Sequence, residues 1–214
     1  MIFVLNKTNT IANQFLVELR DAVTQLDRAR FRRNQEKLGE ILAYELSKTL
    51  KYELKEVHTP LGTTNVNVPA CQPVLGTILR AGLPFHQGFM NYFDQSASAF
   101  VTAYRKVKRN SAFFIQVDHI STPNLDDQVF ILCDTMLATG QSVVAVCKEL
   151  MAQYEIKELH IAAVIASTEG VAHVRANLPK AKLWLCAIDD EMTSKAYIVP
   201  GLGDAGDLAF GEKV

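Results

Sequence analysis

The chain has 214 residues, with 22 Lys and Arg against 23 Asp and Glu, and a formal net charge of −1. That near-balance argues against broad nucleic-acid binding, and no apolar run approaches the ~20 residues that a membrane span needs. The length suits a single domain, residues 1–214, able to bury roughly 70% of its unfolded surface without disulfide or metal staples.

The amino terminus, Met1-Ile2-Phe3-Val4-Leu5-Asn6-Lys7, lacks the charged-then-apolar order of a signal peptide. Residues 2–5 read as a short strand. Ile11, Phe15, Leu19, Ala22 and Leu26 place a helix over 11–26, and Phe31, Leu38, Ile41, Leu42, Leu46 and Leu50 place a stronger one over 31–50. The basic run 28–33 reads as the solvated start of that helix rather than an anion site. Residues 1–52 are then a helical arm, either for an interface or packed on the chain's own sheet. Pro60, Gly62 and Asn65 break the next region into short extended pieces.

Residues 74–79 read as a core strand after Pro73, closed by Arg80-Ala81-Gly82. Pro84 suits the first turn of a helix over 84–92. Arg80 is either an anion clamp or the partner of a carboxylate, and His86 reads as packed or surface. Residues 99–104 are another strand, followed by Arg105, Lys106, Lys108 and Arg109. Residues 105–127 read as a polar hairpin leaving the sheet, a flexible lid or a plain hairpin. Asp118-His119 has no support for an acid–base role.

Residues 129–142 combine an apolar strand, Val129 to Cys133, with Asp134 at its end and a Thr-Gly-Gln-Ser turn before a helix at 143–153. Open α/β sheets bind ligands at such strand ends. Ala138 to Ser142 offer backbone N–H groups and two hydroxyls suited to a phosphate. A capping turn uses the same residue types, so pattern alone leaves the two readings level. Residues 159–166 and 183–188 are further core strands, flanking a helix over 170–177. Asp189, Asp190 and Glu191 read as a solvated loop rather than a metal site. The segment 196–200 is extended, and Gly201, Gly203 and Gly206 make a loop whose exposed backbone suits a flat polar ligand. Cys71, Cys133, Cys147 and Cys186 form no Cys-x-x-Cys and read as reduced core thiols of a cytoplasmic protein. Helix and strand alternate over about 74–188, which predicts an α/β fold with a mainly parallel sheet and helices on both faces.

Ile78 to Leu83, Asp134 to Ser142 and Tyr197 to Asp207 together resemble uracil phosphoribosyltransferase, a type I phosphoribosyltransferase. The likeness runs from about residue 9 to 211, with weaker echoes at Arg20-Asp21, Phe31-Arg32, Tyr44-Glu45, Tyr104-Arg105, Glu169-Gly170 and Phe210-Gly211. It implies a catalytic core over 73–211. The implied reaction moves the phosphoribosyl group of 5-phosphoribosyl 1-pyrophosphate (PRPP) to N1 of uracil, giving UMP and pyrophosphate. By the resemblance, Asp134, Thr135, Met136, Leu137, Ala138, Thr139, Gly140, Gln141 and Ser142 bind PRPP. Residues 138–142 take its 5-phosphate, and Asp134 lies near the ribose hydroxyls. Arg80 and Arg105 neutralise the pyrophosphate. Ile198, Gly203 and Ala205 meet uracil through their backbones, and Asp204 contacts PRPP with its Mg²⁺. A homodimer is implied, with larger forms and a GTP effector in some members. A PRPP- or nucleotide-binding regulator, or a transferase for another base, are the alternatives on the same scaffold.

The chain departs from the family at five places. Thr135 replaces a usual Pro, and Gln141 a usual Gly. Lys106-Val107-Lys108-Arg109 replaces an acidic stretch, Met192-Thr193 a leucine-asparagine pair, and Leu208 a basic residue.

Overall fold

The computed structural model describes residues 1–107 and 113–213, and for 105–107 and 113–115 the backbone only. In chain order the elements are β1 (Ile2–Val4), α1 (Ala12–Arg20), α2 (Arg28–Ser47), β2 (Tyr52–Thr59), β3 (Gly62–Pro69), β4 (Val74–Leu79), α3 (Leu83–Tyr92), β5 (Ser98–Val107) and β6 (Phe113–Ser121). They continue with β7 (Val129–Leu137), α4 (Gln141–Gln153), β8 (Glu158–Ser167), α5 (Thr168–Asn177), β9 (Lys182–Asp189), β10 (Glu191–Met192), β11 (Ile198–Val199) and α6 (Ala205–Phe210).

Seven strands make the main sheet, in the order β1-β9-β8-β7-β4-β5-β6. All neighbours are parallel except β6, which runs antiparallel to β5. The expected α/β architecture is the one observed. Strand alternation divides the core. Ile131, Cys133, Ala162, Val164, Trp184 and Cys186 face one layer, with Leu16, Leu19, Phe31, Leu38, Leu42, Leu46, Phe85 and Phe89. Their strand neighbours Phe130, Leu132, Ile161, Ala163, Leu183 and Leu185 face the other, with Val143, Val146, Cys147, Leu150, Val171 and Val174. Strands buried on both faces carry continuous apolar runs, as parallel sheets require.

The amino-terminal helices form one of these layers. The stripe expected on residues 31–50 is buried against the sheet, with Leu38, Leu42 and Leu46 inaccessible to solvent. The helix itself starts earlier, at Arg28, because Asp27 caps it, accepting from Ala29 N at 3.0 Å and Arg30 N at 3.1 Å. The basic run is only partly solvated. Arg30 pairs with Glu18 at 2.8 Å, and Arg32 Nη1 donates to the Ala209 carbonyl at 2.7 Å. The helix expected over 11–26 stops at Arg20. Asp21 is extended, and its Oδ1 accepts from Thr24 N and Thr24 Oγ1, both at 2.7 Å, which offers the backbone a turn in place of helix.

Three further expectations are corrected. Residues 52–69 are not short pieces but an eight-plus-eight-residue antiparallel hairpin outside the main sheet, closed by a turn at Pro60-Leu61. Tyr52, Leu54, Leu61 and Val66 are exposed on it. Strand β7 does not end at Cys133 but runs on to Leu137, pairing Asp134 with Ala163 and Met136 with Ile165. Of the four thiols, Cys133, Cys147 and Cys186 are buried and free, whereas Cys71 is exposed. Burial pushes the Cys147 thiol up to about 12.

The one polar residue of the β8 apolar run is satisfied. Trp184 Nε1 donates to His160 Nδ1 at 2.9 Å, and His160 Nε2 faces Glu158 Oε1 at 2.6 Å. Burial lowers the His160 pKa to about 4, so the ring is neutral and donates from Nε2. His86 is packed edge-on against Phe100 and is likewise lowered to about 4 by burial.

Candidate active site

The carboxyl ends of β4, β7, β8 and β9 converge on one edge of the sheet. β7 leads into the turn and helix that the sequence suggests for a phosphate. Gly140 sits at φ 73° and ψ −6°, and α4 begins directly after it, so the loop's N–H groups and the positive end of a 13-residue helix meet. Thr139 Oγ1 accepts from Gln141 N at 3.4 Å. A hollow of about 50 Å³ here is lined by Asp134, Met136, Leu137, Ala138, Thr139, Gly140, Ser142 and Val143.

The loop is braced by the start of α5. Ser167 Oγ donates to the Ala138 carbonyl at 2.6 Å and accepts from Gly170 N at 2.8 Å. Gly170 lies so close that a Cβ there would stand 2.3 Å from Ala138 O and 2.4 Å from Leu137 O. At Gly170 the Glu169-Gly170 echo thus marks a close backbone approach.

Asp134 is half-buried beside this hollow. Its Oδ1 accepts from Thr135 N at 2.7 Å. Burial pushes its pKa up to about 7, against the lowering effect of the Thr135 and Met136 N–H groups. Thr135 is fully buried, and its hydroxyl donates to the Ala81 carbonyl at 2.6 Å. That bond ties β7 to the loop after β4, which follows a cis Leu79-Arg80 peptide.

Arg80 reaches from that loop to α6. Nη2 pairs with Asp207 Oδ1 at 3.0 Å, Nη1 donates to Gly211 O at 3.3 Å, and Nε is buried with no partner among the described residues. The carboxylate partner expected in one reading of Arg80 is therefore present, and the guanidinium lies beside Gly206 at the end of the glycine loop. The side chain of Arg105, and Lys108 and Arg109 altogether, lie outside the described residues. Asp118 and His119 sit on the edge strand β6, exposed, with no catalytic partner in reach among the described residues.

The glycine loop closes the other side. Asp204 caps α6, its Oδ1 accepting from Gly206 N at 2.9 Å and Asp207 N at 3.0 Å. Ile198 and Ala205 are buried, Gly203 is exposed at φ 91°, and the Val199-Pro200 bond is cis. A hollow of about 210 Å³ is lined by Ala81, Met136, Ala138, Ala196, Tyr197, Ile198, Gly203, Asp204, Ala205 and Gly206. It adjoins the phosphate-sized hollow through Met136 and Ala138, which line both.

Sequence reasoning missed Asp189. It is 8% exposed, not a solvated loop residue, and it pairs with Arg20 at 2.7 Å. The partners are 169 residues apart, so no local pattern signals them; the Arg20-Asp21 echo was the sole hint. Among the described residues no group of three or more His, Cys, Asp or Glu gathers to hold a metal.

The chain matches the family model described as uracil phosphoribosyltransferase over residues 6–212. It is 48% identical to a uracil phosphoribosyltransferase of Porphyromonas gingivalis over 98% of both chains. A uracil phosphoribosyltransferase of Thermococcus gammatolerans is 37% identical over 92% of this chain and 88% of that one. Among solved structures, a protein of Aquifex aeolicus superposes with a TM-score of 0.88 at 25% identity, covering 100% of both chains. A hypoxanthine phosphoribosyltransferase of Staphylococcus aureus, TM-score 0.50 and 10% identity over 75% of this chain and 76% of that one, shares the fold. The phosphate-sized hollow, the adjoining loop pocket and these likenesses agree: the chain belongs to the uracil phosphoribosyltransferase family.

Proposed function

We propose that this cleft transfers the 5-phosphoribosyl group of PRPP to N1 of uracil, releasing pyrophosphate and UMP, in pyrimidine salvage in the cytoplasm. The observation that carries the reading is the adjacency of the two hollows across Met136 and Ala138. A phosphate held at 138–142 and a base held at 197–206 then meet with the ribose between them. Holding two reactants in this way converts a bimolecular encounter into an intramolecular step.

The residues divide the work. The N–H groups of Ala138 to Ser142 and the start of α4 hold the 5-phosphate. Asp134, as carboxylate, accepts from the ribose hydroxyls. As the bond from C1 to the pyrophosphate oxygen stretches, positive charge grows on the ribose and negative charge on the leaving group. Arg80, already placed by Asp207, and Arg105 stabilise the leaving charge. The backbones of Ile198, Gly203 and Ala205 match the two carbonyls and N–H groups of uracil and leave the amino group of cytosine badly paired.

Mg²⁺ bound with PRPP would supply further positive charge where the pyrophosphate departs. The donor set fits a metal that arrives with its substrate. Such an ion needs only one or two protein carboxylates, and Asp204, exposed at the pocket rim, is the carboxylate that would hold it. Three buried, unpaired thiols support a reducing compartment. A homodimer is supported by the exposed apolar residues of the β2–β3 hairpin and of α1 and α2, Leu54 and Val17 among them; a monomer mass by light scattering at micromolar concentration would refute it.

The test incubates purified protein with PRPP, Mg²⁺ and uracil, cytosine or hypoxanthine. UMP is expected to form much faster than the other nucleotides. UMP no faster than the rest would sink the reading. PRPP binding without any turnover would turn the site into that of a regulator.

A further inference from the structure

Backbone recognition has a structural corollary. A main-chain donor or acceptor is placed only by whatever holds its loop, because it has no rotamer of its own. Three glycines within residues 201–206 leave this loop little intrinsic stiffness. Its order must come from outside.

The outside support is concentrated at Gly201. Asp189, the last residue of β9, accepts Gly201 N on Oδ2 at 2.9 Å. Arg20, the last residue of α1, donates Nη1 to Gly201 O at 3.0 Å. The two side chains are themselves joined by a bidentate pair, Nη1 to Oδ2 at 2.7 Å and Nη2 to Oδ1 at 2.8 Å. Both polar groups of one peptide residue are therefore gripped by an ion pair that rests on two rigid elements. Gly201 is at φ 58°, and a Cβ there would stand 2.1 Å from Ile198 O, so the gripped residue also packs directly on a residue of the base pocket. Gln25, with its amide oriented to satisfy both carbonyls, donates to Leu19 O at 3.0 Å and Leu202 O at 2.9 Å. A second tie thus follows at the next residue.

The clamp stays apart from the PRPP machinery. Neither Arg20 nor Asp189 lines the phosphate-sized hollow or the base hollow. Asp189 meets the phosphate side through its backbone, in the strand pairing with Ser167 and where Thr168 Oγ1 donates to its carbonyl at 3.2 Å, whereas its carboxylate turns to Arg20 and Gly201. We infer that Arg20 and Asp189 are positioning residues for base recognition, fixing the uracil-reading backbone through Gly201. The role has a distinct signature: damage should fall on uracil and on base selectivity, and spare PRPP.

The inference rests on the uracil reading, and the experiment separates the two. Wild type is assayed first with each base; absence of UMP sinks the uracil reading. Given UMP formation, Arg20→Lys and Asp189→Asn are compared with wild type in steady-state kinetics, each substrate varied in turn. Lysine keeps the charge but loses the fork that spans Asp189 and Gly201. Asparagine keeps an acceptor but loses the ion pair. A displacement of about 1 Å in a bound reactant costs roughly 10²-fold, so kcat/KM for uracil should fall by about that factor, with a smaller uracil-over-cytosine ratio. The dissociation constant of PRPP by calorimetry should stay near that of wild type, which also reports a folded site. Unchanged uracil kinetics in either folded variant, or equal losses for PRPP and uracil, would overturn the inference. Amide hydrogen exchange of ligand-free wild type tests it without any variant. Gly201 N–H should be protected; exchange as fast as that of a free loop would also overturn it.

Discussion

Gly170→Ala offers the sharpest test of the phosphate loop. The methyl group would stand 2.3 Å from Ala138 O and 2.4 Å from Leu137 O. Ordinary carbon–oxygen contacts lie at about 3.3–3.6 Å, so the overlap is about 1 Å with two atoms at once. Both are backbone carbonyls and cannot swing aside. Either the loop or the first turn of α5 must shift. Overpacking of this kind costs about 1–3 kcal/mol. The shift also strains the Ser167 bridge, whose bonds to Ala138 O and from Gly170 N contribute roughly 1 kcal/mol each. A loss of about 2–4 kcal/mol lowers Tm by about 5–15 °C for a chain of this size. A loop displaced by about 1 Å should raise the KM for PRPP by one to two orders of magnitude, and the KM for uracil much less. Scanning calorimetry and steady-state kinetics measure both. Wild-type Tm together with wild-type KM for PRPP would refute the claim that Gly170 holds the loop.

Arg80→Ala should fold, since the side chain is 39% exposed and its partner Asp207 can turn to water. Turnover should fall by about 10²–10³-fold, the size for loss of one such donor; near-normal kcat in a folded variant would remove Arg80 from the chemistry. Asp134, with its pKa pushed up to about 7, should give kcat/KM for PRPP an acid limb that falls below pH 7, and Asp134→Asn should flatten it. The linked stability has the opposite direction. A folded pKa above the unfolded 3.8 means that the group's contribution is fully present below pH 3.8 and is lost as pH rises through about 7. Asp134→Asn should therefore raise Tm at pH 8 and leave it unchanged near pH 3.5. Gln141→Gly should alter the KM for PRPP more than that for uracil, because residue 141 opens α4 at the phosphate hollow; the reverse order would place Gln141 outside the PRPP site.

The legible parts of the chain were those that burial shapes locally. Strands β4, β7, β8 and β9 announced themselves because both faces are covered, and the glycine loop because its spacing is dense. Limits set by pairing or by single polar side chains were harder to see. Asp134 interrupts the apolar run, yet β7 continues because β8 is there to pair with Met136 and Leu137. Asp21 interrupts nothing in the apolar pattern, yet its carboxylate ends α1. The β2–β3 hairpin faces solvent on most positions, so no burial pattern marked it and its turn residues read as breaks. The pairing of Arg20 with Asp189 left no local pattern because the bond between them exists only after the sheet has formed.

Three of the departures from the family become intelligible on the same terms. Thr135 stands where a proline is usual, and it uses both groups that a proline lacks. Its N–H goes to Asp134 and its hydroxyl to Ala81 O. The residue thus links the carboxylate of the phosphate side to the loop that carries Arg80. Thr193 replaces an asparagine and still closes the turn before the base loop. Its N–H donates to Tyr197 O at 2.8 Å and its Oγ1 accepts from Tyr197 N at 3.1 Å. Leu208, on α6, replaces a basic residue and packs against the core layer, as does Met192 on β10. Thr135, Thr193, Leu208 and Met192 each supply a local contact of their own kind, so the backbones of the two loops keep their supports while the side chains around them change.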